Sequence, residues 1–142
     1  MNQAQLKFHA FAEISEIPDE KLTHAAVVSR FKGKWIFVRH KERSTWEIPG
    51  GRRNEGENII DTAKRELFEE TGATDFEIRT VCVYIVMREK PSYGLLAFAE
   101  IKKMGELPIS EIEKIGLFDE IPDEQTYPNI HPKLIEKFIK SI

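Results

Sequence analysis

The sequence predicts an α/β fold in which helices cover a mixed sheet, and three observations lead to this prediction. Segments with strand-like patterns lie both before and after residues 58–71. Residues 58–71 themselves contain good helix formers and neither Gly nor Pro, which predicts a central helix. Residues 131–142 repeat apolar side chains at helical spacing, which predicts a second helix. Strands on both sides of one central helix, with another helix at the end, fit a helix-covered sheet.

The first third of the chain predicts three strands. Over residues 7–14 the apolar side chains occupy alternate positions, namely Phe8, Ala10, Ala12 and Ile14. Residues 16–20 contain Pro and Asp and predict a turn or loop. Residues 23–30 and 34–40 are rich in β-formers, and the Phe-Lys-Gly sequence at 31–33 between them predicts a hairpin.

The chain beyond the central helix predicts further strands. Residues 76–87 form a long strand that can accommodate a bend, and residues 93–101 form the next, after a turn at 90–92. The charged residues 102–114 predict a loop with some local structure, followed by a short strand at 115–118. Residues 122–128 are predicted to be irregular. The stripe of the closing helix consists of Leu134, Ile135, Phe138 and Ile139.

The composition is that of an ordinary soluble domain. A length of 142 residues fits one domain spanning residues 1–142 and is enough for a hydrophobic core. Hydrophobic residues make up 41% and charged residues 32% of the chain. The net charge of −3 argues against a general nucleic-acid binder, which normally carries a basic excess. It leaves a nucleotide substrate open, because metal ions can supply the positive charge.

Cysteine content and apolar runs bear on location. Cys82 is the only cysteine, so no intrachain disulfide is expected, and its apolar surroundings predict a buried thiol. The N-terminal segment has no secretory apolar core, and no run is long enough to span a membrane. We therefore expect a cytoplasmic protein that does not bind membranes.

The stretch from Gly50 to Ala73 carries the strongest pattern in the chain. Read from Gly51 it has the form G-x5-E-x7-R-E-U-x-E-E-x-G-U, where U is a bulky aliphatic residue. Its specified positions are Gly51, Glu57, Arg65, Glu66, Leu67, Glu69, Glu70, Gly72 and Ala73. Seven Gly, Glu and Arg positions at fixed spacing are expected by chance in about one protein-sized sequence in 10^6 or fewer.

Physical chemistry gives this stretch a meaning of its own. Glu66, Glu69 and Glu70 stand at i, i+3 and i+4, so their carboxylates share one side of the predicted helix. A solvated acidic surface is the usual explanation of a charge run. Three adjacent carboxylates repel one another, however, and a bound hard cation such as Mg²⁺ or Mn²⁺ would relieve the repulsion. Gly72 is predicted to cap the helix at its C-terminus.

The pattern resembles the Nudix box, and the preceding Trp46–Gly51 segment resembles the corresponding strand of MutT-like bacterial Nudix hydrolases. The resemblance implies an α/β/α sandwich and a metal-dependent pyrophosphohydrolase that cleaves a diphosphate linkage in a nucleotide. Every polar and glycine position of the box is filled. Ala73 departs from the pattern, because it is smaller than the usual Val, Ile or Leu, which affects local packing.

Site roles follow from the resemblance, residue by residue. It implies catalytic roles for Glu57, Arg65, Glu66, Glu69 and Glu70, and a metal site formed by Glu66, Glu69, Glu70 and the carbonyl of Gly50. Arg65 is expected to pair with Glu57 and to orient the ligands. The base that accepts the proton from water is either Glu66 or a glutamate of a later loop, for which the candidates are Glu111, Glu113 and Glu120.

Substrate contacts are predicted at two further positions. Arg39, at the end of a strand, resembles a phosphate-contacting arginine of MutT-like members. Asn129, just before the last helix, resembles a base-reading asparagine, although its offset differs. An arginine exposed to solvent at a strand end is the alternative for Arg39.

Three functions are compatible with the pattern. The first is hydrolysis of a nucleoside di- or triphosphate or a related small nucleotide, including oxidised dGTP. The second is removal of pyrophosphate from RNA 5′ ends, for which a basic cluster offers a surface, namely Lys32, Lys34, Arg39, Lys41 and Arg43. The third is a catalytically silent nucleotide-binding sensor, which the complete set of box carboxylates disfavours. No stable nucleic-acid partner is expected, and the protein is expected to be a monomer or a homodimer.

Overall fold

The computed structural model describes residues 6–142. The N-terminal segment, predicted to have no secretory apolar core, therefore lies outside the described residues over its first five positions. It contains seven strands and two α-helices, with two short 3₁₀ turns before the second strand. In chain order these are β1 (Lys7–Ala12), β2 (Leu22–Phe31), β3 (Lys34–His40), β4 (Gly50–Arg52), α1 (Ile59–Thr71), β5 (Ala73–Met87), β6 (Pro91–Met104), β7 (Ile112–Phe118) and α2 (His131–Lys140).

All seven strands join one sheet, which is mixed as predicted, although the short strand β4 was not predicted from its own residues. Its order is β1-β5-β6-β2-β3-β7, with β4 paired to β2. The β2–β6 pair is parallel, and the other pairs are antiparallel. The long β5 strand shows register shifts against β6, in agreement with the predicted bend.

The two helices cover opposite faces of the sheet. Successive strand residues point to opposite faces, and neighbouring residues of β2 accordingly enter different clusters. Ala25 and Val27 pack with Ile59, Ala63 and Leu67 of α1. On the other face, residues such as Ala26 and Val28 pack with the residues Ile130, Leu134, Ile135 and Phe138 around α2. The predicted α/β/α sandwich is confirmed.

The predicted hairpin between β2 and β3 is confirmed as well. Its two turn residues, Lys32 and Gly33, have φ angles of 52° and 77°. Positive φ at both central positions is typical of the two-residue turns whose twist matches that of the flanking strands.

Two strands extend beyond their predicted ends. The loop predicted at 102–114 covers only residues 105–111, because β6 continues to Met104 and β7 begins at Ile112. Lys103 pairs with Asp75, and Lys114 pairs with Arg39, so backbone pairing holds these charged residues in strands. Pro91, predicted to lie in a turn, begins β6 instead.

Two side chains that were predicted to lie on apolar faces are exposed instead. Ile139 is 45% exposed, so the buried stripe of α2 consists of Leu134, Ile135 and Phe138. Ile14 is 38% exposed because β1 ends at Ala12 and a 3₁₀ turn follows. Cys82 is buried, as predicted.

Strands β2 and β3 separate beyond their hairpin, and residues 47–52 run in the gap between them. Glu47 forms a bridge with Val38 of β3, while Gly50 and Gly51 pair with Ala26 and Ala25 of β2. This segment brings the two glycines to the side of the sheet on which α1 packs. Neither α1 nor α2, the helices of the described part of the chain, has the length and apolar character that a membrane crossing requires.

Candidate active site

Helix α1 begins and ends at residues suited to those positions. The side chain of Asn58 accepts a hydrogen bond from the N–H of Ile60 at 2.9 Å, which satisfies one of the free donors of the first turn. Gly72 adopts a left-handed conformation with φ 79°, and its N–H donates to the carbonyl of Phe68. The predicted cap at Gly72 is therefore present, and α1 presents its acidic side chains to β4.

Arg65 is the centre of a hydrogen-bond network on this helix. Its Nε and Nη2 donate to the two carboxylate oxygens of Glu57 at 2.8 and 3.0 Å, the bidentate pairing implied by the box. Its Nη1 donates to Glu66 and to Glu69, both at 2.8 Å. Nη2 also donates to the carbonyl of Arg52, which ties the helix to the end of β4.

Glu57 is held as a carboxylate by its neighbours. Hydrogen bonds from Arg65, from the Thr62 hydroxyl and from the N–H of Asn54 lower the pKa of Glu57 to about 2. The hydrogen bonds of Arg65 to Glu57, Glu66 and Glu69 raise the pKa of Arg65 further above its usual range. Both members of the pair are therefore charged near pH 7. The pair also holds the loop before α1 in place.

Glu66 and Glu70 lie against the backbone of β4. The N–H of Gly50 donates to Glu70 Oε1 at 3.0 Å. A Cβ atom at Gly51 would lie 2.4 Å from the carboxyl carbon of Glu66, so only glycine allows this close approach. Glu69 differs from them, because its side chain is 45% exposed and faces Arg65.

Burial and like charges act on both of these carboxyl groups. Burial raises the pKa of Glu66. Burial raises the pKa of Glu70 to about 8, and the carboxylates of Glu66, Glu47 and Glu111 add to the effect against the opposing Gly50 hydrogen bond. The site therefore gathers more negative charge than its own hydrogen bonds satisfy.

This donor set fits a hard divalent cation. Carboxylate and carbonyl oxygens are the ligands that Mg²⁺ and Mn²⁺ take in proteins, and a cation would offset the repulsion at Glu70. Within residues 6–142, no three acidic, histidine or cysteine side chains converge tightly enough to enclose an ion. Arg65 accounts for this arrangement, because it draws Glu69 and one oxygen of Glu66 to itself.

A buried acidic residue precedes the glycines and was missed in the sequence. Glu47 is 8% exposed. Its two oxygens lie 3.0 Å from His40 Nε2 and 3.1 Å from Arg43 Nη1. A charged residue inside the apolar Trp-Glu-Ile-Pro run was the available signal, because a buried carboxylate requires partners.

The three later glutamates are now distinguishable. Glu113 accepts a hydrogen bond from Arg39 Nη2 at 2.6 Å in an ion pair, and Glu120 is exposed to solvent. Glu111 lies 3.7 Å from His40 Nδ1 and is close enough to Glu70 to raise its pKa. Only Glu111 of the three therefore acts on the carboxylates of α1.

Neither predicted substrate contact has a hydrogen bond to these carboxylates among residues 6–142. Arg39 is held by Glu113 on β7, and its guanidinium lies 5.5 Å from the centre of the Trp46 ring. Asn129 is exposed just before α2. Neither lines the cavity described next, and their role as substrate contacts stays a prediction.

A cavity of about 210 Å³ opens beside the glycines. Residues from β2, the 47–52 segment, β5 and the start of α2 line it, including His24, Gly50, Gly51, Tyr84, Tyr127 and His131. Apart from the glycines, these residues were not singled out in the sequence. They come from distant parts of the chain, so no local pattern brings them together.

Comparison with known proteins finds one matching family and several proteins of similar sequence. Residues 20–138 match the NUDIX domain family. A Bacillus subtilis protein that bears the name of an 8-oxo-dGTP diphosphatase is 36% identical over 103 residues, which are 70% of this chain and 64% of that protein. An RNA pyrophosphohydrolase of Haemophilus ducreyi is 38% identical over 53 residues, 37% of this chain and 27% of its own length. The chain thus spans less than two thirds of either relative.

Solved structures agree with the fold. The crystal structure of a Bacillus subtilis pyrophosphohydrolase superposes with a TM-score of 0.78 at 26% identity, over 96% of this chain and 90% of the other. A NUDIX hydrolase from Nitrosomonas europaea superposes with a TM-score of 0.71 at 20% identity, over 84% of this chain and 89% of that one, and this similarity concerns the fold alone.

Proposed function

The chain belongs to the NUDIX domain family, and on that premise we propose that it is a metal-dependent pyrophosphohydrolase acting on a small nucleotide. The bond cleaved is a diphosphate linkage of a nucleoside di- or triphosphate or a related compound, with oxidised dGTP among the candidates. The observation that carries the proposal is the position of Glu66 and Glu70 against the Gly50–Gly51 backbone, with Arg65 anchored beside them. We treat residues 1–142 as one such domain.

We assign each charged residue of the site a distinct task. Glu66, Glu69, Glu70 and the Gly50 carbonyl would hold Mg²⁺ or Mn²⁺. When bound, such a cation neutralises phosphate charge and acidifies water. Arg65 positions Glu66 and Glu69, and Glu57 in turn orients Arg65 through the bidentate pair.

The proton of the attacking water goes to Glu66 or to Glu111. Glu66 is partly buried and shares Arg65 with Glu69, which favours a fixed orientation. Glu111 is 89% exposed at the end of the 105–111 loop, which leaves its carboxylate free to approach a bound substrate. The Glu111→Gln variant separates the two, because Glu111 is not among the assigned metal ligands. Loss of turnover at unchanged Mn²⁺ affinity would assign the base to Glu111, and unchanged turnover would assign it to Glu66.

A nucleotide screen tests the proposal directly. Release of phosphate and pyrophosphate is measured for oxidised dGTP, ordinary nucleoside triphosphates, ADP-ribose, dinucleoside polyphosphates and 5′-triphosphate RNA, each with Mg²⁺, Mn²⁺ or EDTA. We expect turnover of at least one small nucleotide that EDTA abolishes. Turnover that persists in EDTA would contradict the metal requirement.

The Glu70→Gln variant tests the ligand assignment. Removing one negative charge from the site should cut turnover by about 100-fold or more while the protein remains folded. Glu89→Gln, an exposed carboxylate in the turn after β5, is the matched control and should leave turnover unchanged. An unchanged rate of Glu70→Gln with Mg²⁺ would refute the assignment.

RNA 5′ ends are the second candidate substrate, and similarity to proteins named RNA pyrophosphohydrolase favours them. The basic cluster identified in the sequence gives less support. Lys34 pairs with Asp119, Arg39 with Glu113 and Arg43 with Glu47. The exposed Arg52, which lies beside the cavity, is a better phosphate contact for a longer substrate. Faster release from 5′-triphosphate RNA than from free nucleotides would favour this candidate.

A catalytically silent nucleotide sensor is the alternative of another class. It predicts that no compound in the screen is hydrolysed, while a nucleotide still raises the melting temperature. The complete set of box carboxylates, namely Glu66, Glu69 and Glu70, disfavours it.

A further inference from the structure

The cavity beside Gly50 and Gly51 has a volume and a lining that suit a flat, neutral group. Its volume of about 210 Å³ is well above the roughly 30 Å³ of a single water molecule. Much of its wall is apolar and comes from Ala25, Ala26, Ile48, Pro49, Val86 and Ile130. It shares Gly50 and Gly51 with the carboxylate site, because Glu70 and Glu66 contact these same two residues.

His131, the first residue of α2, lines this cavity and carries one defined ring proton. The N–H of Ile48 donates to His131 Nδ1 at 3.1 Å, so Nδ1 has to be an acceptor. The neutral imidazole then carries its proton on Nε2. Burial lowers the pKa of His131 to about 3, and the ring is therefore neutral near pH 7.

The Nε2–H group of His131 has no protein acceptor among residues 6–142. The ring itself is fixed, because Ile48 holds Nδ1 and the Tyr127 ring lies 4.9 Å away, centre to centre. A fixed donor in a partly buried wall gains most from a ligand that offers an acceptor at that position.

We propose that His131 is a specificity-determining residue whose Nε2–H donates to an acceptor atom on a heterocyclic base placed in this cavity. The base atom is a ring nitrogen or an exocyclic oxygen, which present the same acceptor chemistry. The inference deepens the proposed function, on which it rests, by assigning the organic end of the nucleotide to the cavity and one contact of that end to His131.

The neighbouring side chains favour a base over a phosphate in this cavity. The charged residues of its lining are Glu47, whose buried carboxylate would repel a phosphate, and Arg52, which is exposed and suits a phosphate lying outside the cavity. His24, a second histidine of the wall, is also neutral near pH 7, because burial and the charge of Arg52 lower its pKa to about 4. The buried Tyr84 ring packs edge-on against His24 at 5.2 Å. A neutral ring with polar atoms on its rim suits these surroundings.

Two variants separate the donor from the structural bond. In His131→Asn the side-chain oxygen can take the place of Nδ1 and accept from Ile48, while the donor at the Nε2 position is lost. In His131→Gln the amide nitrogen can reach the Nε2 position and restore a donor. Unchanged melting temperatures establish that both variants are folded.

The experiment measures binding and leaves turnover aside. Calorimetry with Mg²⁺ is carried out on GMP, 8-oxo-dGMP, AMP, UMP and CMP, and then on analogues of the tightest binder. Each analogue lacks one acceptor: a deaza analogue replaces one ring nitrogen by C–H, and another analogue lacks the exocyclic oxygen. We expect one analogue to bind the wild type about tenfold or more weakly than its parent, and His131→Asn to bind both within about twofold.

His131→Gln should recover part of the discrimination. Equal losses for every analogue in the wild type and in His131→Asn would overturn the inference, and so would failure of all the monophosphates to bind. Turnover of triphosphates is scored separately. If triphosphates are hydrolysed but the His131 variants do not change the discrimination between analogues, the inference fails and the proposed function stands. If the variants change the discrimination but nothing is hydrolysed, the proposed function fails and the contact of His131 stands.

Discussion

Glu70 is a side chain whose environment opposes its own ionisation. It accepts one hydrogen bond from Gly50 and lies near the carboxylates of Glu66, Glu47 and Glu111. A group retained in such surroundings lowers the stability of the protein that carries it, and it is of use where a cation or a proton is to be bound. The effect on stability can be measured without any substrate.

Glu70→Gln should be more stable than the wild type in EDTA at pH 8. The pKa of Glu70 is raised from 4.5 to about 8 on folding, so its contribution to stability is fully present below pH 4.5 and is lost as the pH rises through 8. Glutamine has no such dependence. We expect the free energy of unfolding to be higher in Glu70→Gln by about 1–2 kcal/mol at pH 8. Each kcal/mol raises the melting temperature by about 2–4 °C. Almost no gain is expected at pH 4.5.

Thermal unfolding of both proteins across this pH range measures the difference. Glu89→Gln, exposed in the turn after β5, should follow the wild type at every pH. If the difference between wild type and Glu70→Gln does not grow with pH, the repulsion inferred at this site is absent.

Arg65→Lys should weaken metal binding although it conserves the charge. A lysine cannot make the bidentate contact to Glu57 and also reach Glu66, Glu69 and the Arg52 carbonyl. We expect Mn²⁺ affinity to fall by about 10- to 100-fold, measured by calorimetry. Arg79→Lys, an exposed arginine on β5, makes the same change away from the site and should leave the affinity unchanged. Equal affinities for wild type and Arg65→Lys would argue against a role in positioning the ligands.

At the scale of elements, the contact between β4 and α1 relies on two glycines that differ in what surrounds them. A Cβ at Gly51 would meet the end of the flexible Glu66 side chain, at 2.4–2.6 Å. A Cβ at Gly50 would meet the backbone carbonyl of Ala25 at 2.4 Å, and the backbone cannot move aside as easily. The two positions should therefore fail in different ways.

Gly51→Ala should leave the protein folded and reduce both metal affinity and turnover by about tenfold or more, because its methyl group displaces the Glu66 carboxylate. Gly50→Ala should instead cost about 1–3 kcal/mol of stability, because it separates β4 from β2. Chemical denaturation and Mn²⁺ calorimetry on both variants test the contrast. Similar losses of stability in the two variants would contradict it.

The elements differ in how far the sequence predicts them. Local signals predicted the β2–β3 hairpin and α1, because Lys32-Gly33 and Gly72 hold the backbone angles their positions require. The ends of β6 and β7 were not predictable in this way. Lys103 and Lys114 point to solvent, and what keeps them in strands is pairing with residues far away in the chain.

The site divides along the same line. The resemblance to the box predicts the Arg65–Glu57 pair, and helical spacing predicts the shared side of Glu66 and Glu70. The contact of His131 with Ile48 joins residues 83 positions apart, so it depends on the whole fold. Asn129 illustrates the limit: the resemblance selects it, yet the side chain that enters the cavity wall belongs to His131, two residues later.

At the scale of the whole molecule, partly buried neutral histidines make stability depend on pH. Folding lowers the pKa of His131 from 6.5 to about 3 and that of His24 to about 4. Their contribution is fully present above pH 6.5 and is lost as the pH falls toward these values. Between pH 6.5 and 4.5 the histidines thus favour higher pH, while Glu70 favours lower pH.

His131→Asn should flatten the acid side of the stability curve. The wild type gains up to about 1.4 kcal/mol per pH unit from His131 between pH 4.5 and 6.5, and the variant lacks this gain. Urea unfolding at several pH values measures the slope. His9→Asn, an exposed histidine on β1, is the control and should keep the wild-type slope. An unaltered slope in His131→Asn would mean that folding does not lower the pKa of this ring.

The segment that runs between β2 and β3 also limits the distance between the cavity and the carboxylate site. Ile48 anchors the histidine of the cavity, and Gly51 receives the Glu66 carboxylate, three residues further on. Fully extended chain covers at most about 10–11 Å over that interval, and Pro49 restricts its flexibility. The separation between the ring-binding end and the carboxylate end is therefore fixed in the backbone. Under the proposed placement of the ring and the cation, molecules with a matching span between ring and scissile bond would be favoured over longer or shorter ones, whatever their rings.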